Sequence, residues 1–500
     1  MMNLIKPLTD EELDKMNDEI ELEEYEAEEY FKSIDEEMKI ELFEFCFEMF
    51  NNLHLETIHL SCEENFDDFM VTNVTSMLRV HCDTVEPYSN KLSNLSDELK
   101  DIVFEYIVTY SEKMFYTHVT PRRSYDKTFI RFKPNIEKVK QKIEYIRSKP
   151  QPEQRTDAWY ESRYNMITAS SVGKIFETKS ALNSIIYEKC KPFTLTNQTS
   201  AGALGWGIKY EPVSVMFYES YYKCKVEDFG CITHDKYSFL GASPDGIVVS
   251  EDSYRYGRML EIKNPISRKI TGNPKKMYWI QMQMQMEVCN MNECDFLETK
   301  FSEYANDEEF NNDGTFSSTT QGQLKGIILQ FTIDENTVYE YLPLYSSETE
   351  YCIFKNEMLI KYGEENIVRT IYYKLDHYSC ILVLRNKEWI SYAIPKIEEV
   401  WNTIVKERVD GYDHRAPKER KKKTCMIDIN DMNNSQDIIT EMFCPDMNTS
   451  DDKISDMFPH DMITSQRASQ KSIMKVRTES FDETSTKLNT TDEESTNANI

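Results

Sequence analysis

The sequence contains no apolar run of about 18 residues, so no helix is expected to span a bilayer. Its opening stretch, MMNLIKPLTDEELDK, lacks the charged-then-apolar layout of a secretory signal. None of its 12 cysteines falls in a C-x-x-C pattern. The closest pairs, Cys224/Cys231 and Cys289/Cys294, have no clustered histidines beside them, which argues against a zinc site. Scattered thiols of this kind suit a reducing, intracellular compartment. No internal repeat is present. Positive charge is also short: 58 Lys+Arg stand against 87 Asp+Glu, a net charge of −29. An acidic total ordinarily counts against a nucleic-acid partner.

The charge is segregated, however. Residues 121–300 hold 28 Lys+Arg against 21 Asp+Glu, which leaves about −36 for the rest of the chain. A basic middle within an acidic protein is an electrostatic footprint for a polyanion. With 500 residues, 40% of them hydrophobic, and with 30 Tyr and 25 Phe, the chain is long enough for two or three domains.

Residues 1–30 form an acidic segment with few core-forming residues, read as a solvated helix or disorder. Residues 31–150 read as a helical extension. Within it, SDELKDIVFEYIVTYSEKMFY is a helix with Ser96 as N-cap and a stripe of Ile102, Phe104, Ile107, Val108 and Tyr110. Its last part, 121–149, is a basic linker, either a solvated helix face or a track for phosphates. Residues 151–410 alternate helices with strands, which predicts a mixed sheet flanked by helices, with a polar and disordered insertion at 302–324. From 411 to 500 a disordered tail is expected, with a basic run at 414–423 that reads as a linker, an import signal or a DNA clamp.

The chemistry-bearing stretch is LGASPDGIVVSEDSYRYGRMLEIKNP, residues 240–265. Side chains alternate along a strand, so Glu261 and Lys263 share a face while Ile262 points to the opposite core. Asp245 follows an apolar strand, and Gly246 lets backbone approach closely. If strands 239–249 and 258–264 are neighbours, Asp245 and Glu261 can share one Mg²⁺, a cation that prefers oxygen ligands and retained water. Each piece alone is cheap: Glu-x-Lys recurs in this chain, and Pro-Asp-Gly is an ordinary turn.

Three further stretches bear on the same site. In RTDAWYESRYNMITAS, Arg163 lies one turn after Trp159, and Ser170 is read as beginning the next helix, where free N–H groups favour an anion. In GWGIKYEP, Glu211 sits in a helix within reach of a metal or its water. In YWIQMQMQMEVCN, Tyr278, Gln281 and Gln285 share one helix face, where a glutamine can orient water or phosphate. The bland alternatives are a cap or salt bridge, a surface acid and an amphipathic core helix.

Taken in chain order, the five motifs RTDAWYESRYNMITASSVGKIF, GWGIKYEP, FLGASPDGIVV, LEIKNP and YWIQMQMQMEVCN resemble the YqaJ-like viral recombinase and lambda-type exonuclease branch of the PD-(D/E)XK nucleases, in the form found in large DNA viruses. The resemblance covers roughly 153–300. It implies an α/β restriction-endonuclease-like core. It makes Asp245 and Glu261 metal carboxylates, with the Ile262 carbonyl and Glu211 as further ligands. Lys263 would be the catalytic lysine, Gln281 the helical glutamine, and Arg163 and Ser170 the pair for a DNA 5′ phosphate. The implied cofactor is Mg²⁺, with Mn²⁺ as a substitute. The implied activity is 5′-to-3′ exonuclease action on double-stranded DNA ends, in viral recombination or repair. A single-strand annealing protein and further copies of the chain are the implied partners. The implied setting is host cytoplasm at a virus factory, nucleus or virion. An endonuclease or resolvase of the same fold, and a non-catalytic DNA-binding or protein-recruiting module, remain open alternatives.

Overall fold

The structure, a computed structural model, describes Lys32 and residues 34–417, apart from 87, 93–94, 125–134, 153–155, 193–201 and 335. The acidic 1–30 segment, part of the basic linker and the tail beyond 417 therefore lie outside the described residues.

Apolar residues four apart, Met38, Leu42, Cys46 and Phe50, line the buried side of helix α1 (Glu36–Thr57). Helix α2 (Phe66–Thr84) repeats the pattern with Phe66, Met70, Val74, Leu78 and Cys82. With α3 (Tyr88–Leu92) and α4 (Asp97–Phe115) they close one core. Ser96 caps α4 by accepting from the Leu99 N–H at 3.2 Å. The inward stripe differs from the expected one. Val103, Phe104, Ile107, Val108, Ser111 and Phe115 face in, Ile102 is only partly buried, and Tyr110 is 47% exposed. Tyr110 is six residues from Phe104, about 120° around a 3.6-residue helix, which turns it out of the buried stripe.

Helix α5 (Ile136–Ser148) buries only Ile143 and Ile146. Its cations are engaged locally: Lys140 pairs with Glu251, Arg147 with Glu227, and Lys149, just after it, with Asp235. This part of the basic stretch is an ion-paired surface face. Together the described residues form one compact unit.

The α/β part follows, through α6 (Asp157–Tyr164), β1 (Ile167–Thr168), α7 (Ala169–Val172), α8 (Lys179–Cys190) and α9 (Ala203–Tyr222). Strands β2 (Val226–Glu227), β3 (Ile232–Thr233), β4 (Leu240–Ala242), β5 (Gly246–Val248) and β6 (Met259–Lys263) lead into α10 (Lys276–Cys289). Then come β7 (Glu293–Glu303), α11 (Asp307–Asn312), β8 (Lys325–Ile333), β9 (Asn336–Tyr341), α12 (Glu348–Tyr362), β10 (Ile367–Leu384) and α13 (Lys387–Asp410). Seven strands form one mixed sheet in the order β2-β5-β6-β7-β10-β8-β9, and β1-β4-β3 form a second. Only β6 and β7 run parallel within the large sheet, and α10 is their crossover. The fold class is thus α/β, a mixed sheet flanked by helices, as read from the sequence. No helix among the described residues is long and apolar enough to cross a membrane.

Two sequence expectations are corrected. The apolar run at 239–249 is not one strand: β4 and β5 belong to different sheets, and Ser243-Pro244-Asp245 is the corner between them. Residues 302–324 are folded. Phe310 is fully buried, and the ammonium of Lys325 donates to the carbonyls of Phe310, Asp313 and Thr315 at 2.5, 2.6 and 2.7 Å. One aromatic and one capped lysine suffice to anchor a polar segment whose composition suggested disorder.

Candidate active site

Strand β6 sets the geometry. Met259 joins the core shared with α10, whereas Leu260 and Ile262 join the core shared with α9. Alternation therefore turns Glu261 and Lys263 toward α10. Glu261 is fully buried, an environment a carboxylate tolerates only with partners. It has two. The Lys263 ammonium makes an ion pair with Oε1, and Gln285 Nε2 donates to Oε2 at 2.7 Å. Gln285, itself fully buried, also donates to the Ser243 carbonyl at 3.3 Å and so ties β6 to the β4–β5 corner.

Asp245 enters from that corner. The antiparallel register of β5 and β6 pairs Gly246 with Leu260, which brings Asp245 level with Glu261 and within reach of the next backbone N–H. The Ile262 N–H donates to Asp245 Oδ2 at 2.6 Å. Burial, then the charge of Glu261, push the Asp245 carboxyl well above its usual range, with Glu211 adding to this and Lys263 opposing it. Burial alone would lower the Lys263 ammonium, but Glu261 and Asp245 more than offset it and hold it protonated. Its cationic end also lies 5.2 Å from the Tyr278 ring centroid.

Crowded carboxylates facing one lysine form a donor set short of positive charge. Asp245, Glu261 and the Ile262 carbonyl are oxygen donors, the chemistry a hard divalent cation takes. Among the described residues no three His, Cys, Asp or Glu side chains group closely enough to cage a metal on their own. Glu211 is exposed on α9 and reaches Asp245 through its charge, outside any such three-residue group. An ion held here would keep water ligands, as Mg²⁺ does.

Gln281 is half-buried one turn before Gln285 on the same helix, and its side chain makes no hydrogen bond among the described residues. The glutamine that touches the Glu261 carboxylate is Gln285, which the sequence reading placed on the same helix face as Gln281 without singling it out. Gln283, between them, is structural: it donates to the Leu384 carbonyl and accepts the Asn386 N–H, holding the start of α13. Ser243 was missed altogether. Its Oγ, two residues before Asp245, is buried with no hydrogen-bond partner among the described residues, and its place in Gly-Ala-Ser-Pro-Asp was the available signal.

The second group lies at α6 and α7. The Arg163 guanidinium stacks 4.3 Å over the Trp159 ring and reaches the hydroxyls of Thr168 and Ser170, each at 3.4 Å. The structure thus joins Arg163 to Ser170. The sequence puts Ser170 or Ser171 near the cap of this helix; instead Thr168 is the N-cap residue, without a side-chain cap hydrogen bond, both serines lie inside α7, and that helix is four residues long. A stub this short has too few aligned peptides for the anion-favouring dipole expected there. The positive charge comes from side chains. Arg163 makes no ion pair with a carboxylate among the described residues, and burial holds it below its usual range. Nearby Lys189 is lowered to about 8 by burial, then by Arg163 and Arg408. Lys189 and Arg408 donate to the Arg163 and Tyr164 carbonyls at 2.5 and 2.8 Å, capping the end of α6 that carries Arg163.

Residues 158–292 match the YqaJ-like viral recombinase domain, a span that contains every residue of both groups apart from Arg408. A protein of Acanthamoeba polyphaga mimivirus is 28% identical over 348 residues, 60% of each chain. The chain thus spans about 60% of the length of this curated relative. Among solved structures, an alkaline exonuclease of Laribacter hongkongensis overlaps 51% of this chain and 94% of its own, at 19% identity and a TM-score of 0.31. A phage-related exonuclease of Haemophilus somnus overlaps 48% and 96%, at 12% identity and a TM-score of 0.28. Overlaps this loose carry no argument about activity. Residues 158–292, the span that holds the β5–β6–α10 arrangement, are thus similar to the YqaJ-like viral recombinase domain.

Proposed function

We propose that this protein is a metal-dependent deoxyribonuclease, acting as a 5′-to-3′ exonuclease on double-stranded DNA ends in viral recombination or repair. One observation carries the reading: Asp245, Glu261 and Lys263 meet at the paired ends of β5 and β6, with Glu261 fully buried between Lys263 and Gln285.

Asp245, Glu261 and the Ile262 carbonyl would hold Mg²⁺, or Mn²⁺ in its place, with Glu211 adding negative charge nearby. When bound, the ion would supply Lewis-acid polarisation of a phosphate oxygen and a more acidic water. The chain's own part is positioning and charge. Gln285 fixes one oxygen of Glu261, which leaves the other for Lys263 or a ligand. Lys263, protonated, would place its charge against the phosphate as negative charge builds there. Arg163 and Ser170 would take a 5′-terminal phosphate, which gives a reason for end preference. Recruitment of an annealing protein, assembly into an oligomer, and a setting in the host cytoplasm, nucleus or virion belong to the same proposal.

The test is Mg²⁺ digestion of linear duplexes labelled at either end, run beside covalently closed circles. Release of the 5′ label first, with circles intact, supports the reading. Nicked or linearised circles would favour an endonuclease, and no nucleotide release with any divalent ion would leave a binding module.

A further inference from the structure

Strand β7 runs parallel to β6 with Glu298 directly opposite Lys263. The two side chains therefore stand next to each other on the face that carries Glu261. Glu298 is 1% exposed, and among the described residues nothing but a single ion-pair partner meets its carboxylate oxygens. A buried carboxylate left this way is costly, and an apolar residue would serve the strand at no such cost. Its ion-pair partner is Arg268, whose Nη2 lies 2.6 Å from Oε1. Arg268 belongs to the segment between β6 and α10, and its guanidinium lies 5.8 Å from the centroid of Tyr278, the ring that Lys263 also addresses. Three cations, Arg268, Lys275 and Lys263, act on this one buried acid. The segment thus keeps surplus positive charge beside the catalytic carboxylates of an acidic chain.

We propose that Glu298 is a positioning residue that holds Arg268 at the mouth of the site, where Arg268 contacts a backbone phosphate of the nucleic-acid substrate next to the bond to be cleaved. The proposal rests on the nuclease reading above and names a binding group for it. A guanidinium suits the task because its planar fork can keep one edge on a carboxylate while the other edge meets a phosphate. The segment's far end is fixed as well. Arg122, 3% exposed, donates to the Pro274 carbonyl at 2.5 Å and to Asn273, and Lys276 pairs with Glu63. Arg268 therefore sits on a strap held at both ends.

The experiment uses the full-length chain and five proteins: wild type, Arg268→Ala, Arg268→Lys, Glu298→Gln and the Arg268→Ala/Glu298→Gln double variant. Duplex binding is measured in Ca²⁺ across a salt series, and cleavage in Mg²⁺. Arg268→Ala should weaken binding about tenfold and reduce the salt slope by about one counterion, with the kinetic loss in KM rather than kcat. Glu298→Gln should act in the same direction and add nothing in the Arg268→Ala background, while Arg268→Lys restores the salt slope without full affinity. An unchanged salt slope in Arg268→Ala overturns the proposal. So does a Glu298→Gln loss of the same size in both backgrounds, or a loss in kcat, since either places Glu298 on Lys263 or the fold instead. Thermal melts identify a variant that fails to fold, and Glu298→Asp then replaces Glu298→Gln. The binding arm needs no cleavage, so a chain without nuclease activity defeats the parent reading while the slope still decides this one.

Discussion

Gln285 donates to Glu261 Oε2 across the gap between α10 and β6 at 2.7 Å, with both side chains fully buried. A carboxylate so held has one oxygen fixed and one available. Replacing Gln285 by Met removes the bond and leaves a buried oxygen unsatisfied. The expected result is a loss of cleavage of about 10- to 100-fold, partly recovered at high Mg²⁺ because the defect is in ion binding. Titrating rate against Mg²⁺ checks this. Gln281→Ala should behave differently, lowering turnover with no change in metal dependence if Gln281 meets substrate.

Asp245 and Glu261 repel each other in a buried site that Lys263 only partly neutralises. Function here opposes stability. Asp245→Asn should abolish cleavage yet raise the melting temperature in metal-free buffer, and saturating Mg²⁺ should stabilise wild type but not the variant. Lys263→Ala should abolish cleavage too, and should lower metal-free stability, because it strips Glu261 of its counter-charge. An Asp245→Asn protein that melts lower than wild type without metal would remove the electrostatic argument.

The sequence made β6 readable because alternation is a local property: Glu261 and Lys263 had to share a face once the strand was assigned. Which glutamine meets them was not local. Gln281 and Gln285 lie on one helix face, and the choice depends on how far α10 slides along β6, which tertiary packing decides. The 239–249 run hid a change of sheet for a similar reason. Nothing in an apolar stretch says which partner strand each half will find. Thr168 displaced Ser170 as cap because two hydroxyl residues flanked the helix start within three positions, and both satisfy the same composition rule. The 302–324 segment was misread because composition averages over its one decisive aromatic.

That aromatic gives a stability prediction. Phe310 is fully buried against Phe316, Tyr304 and Tyr372, with the Lys325 ammonium 4.1 Å from its ring centroid. Phe310→Ala should cost about 3–5 kcal/mol. It should also expose the 304–324 amides to solvent exchange before β5 and β6 open. Denaturant melts read the first effect, and hydrogen exchange by segment reads the second.

Arg163 decides whether the second group is functional. Its guanidinium lies on Trp159, reaches the Thr168 and Ser170 hydroxyls at 3.4 Å, and has no carboxylate partner among the described residues. Hydrogen bonds that long are weak, so they do not account for a cation kept in a half-buried place. A terminal phosphate, carrying more charge than an internal diester, would shorten and strengthen them. Arg163→Ala should therefore reduce cleavage of 5′-phosphorylated duplexes about tenfold more than cleavage of 5′-hydroxyl duplexes, in proportion to one lost charge-assisted contact. Initial rates on the two substrates, prepared from one duplex by phosphatase treatment, give the ratio directly. Equal losses on both would mean that Arg163 only braces α6 through Trp159, and the preference for a 5′ end would then need another source.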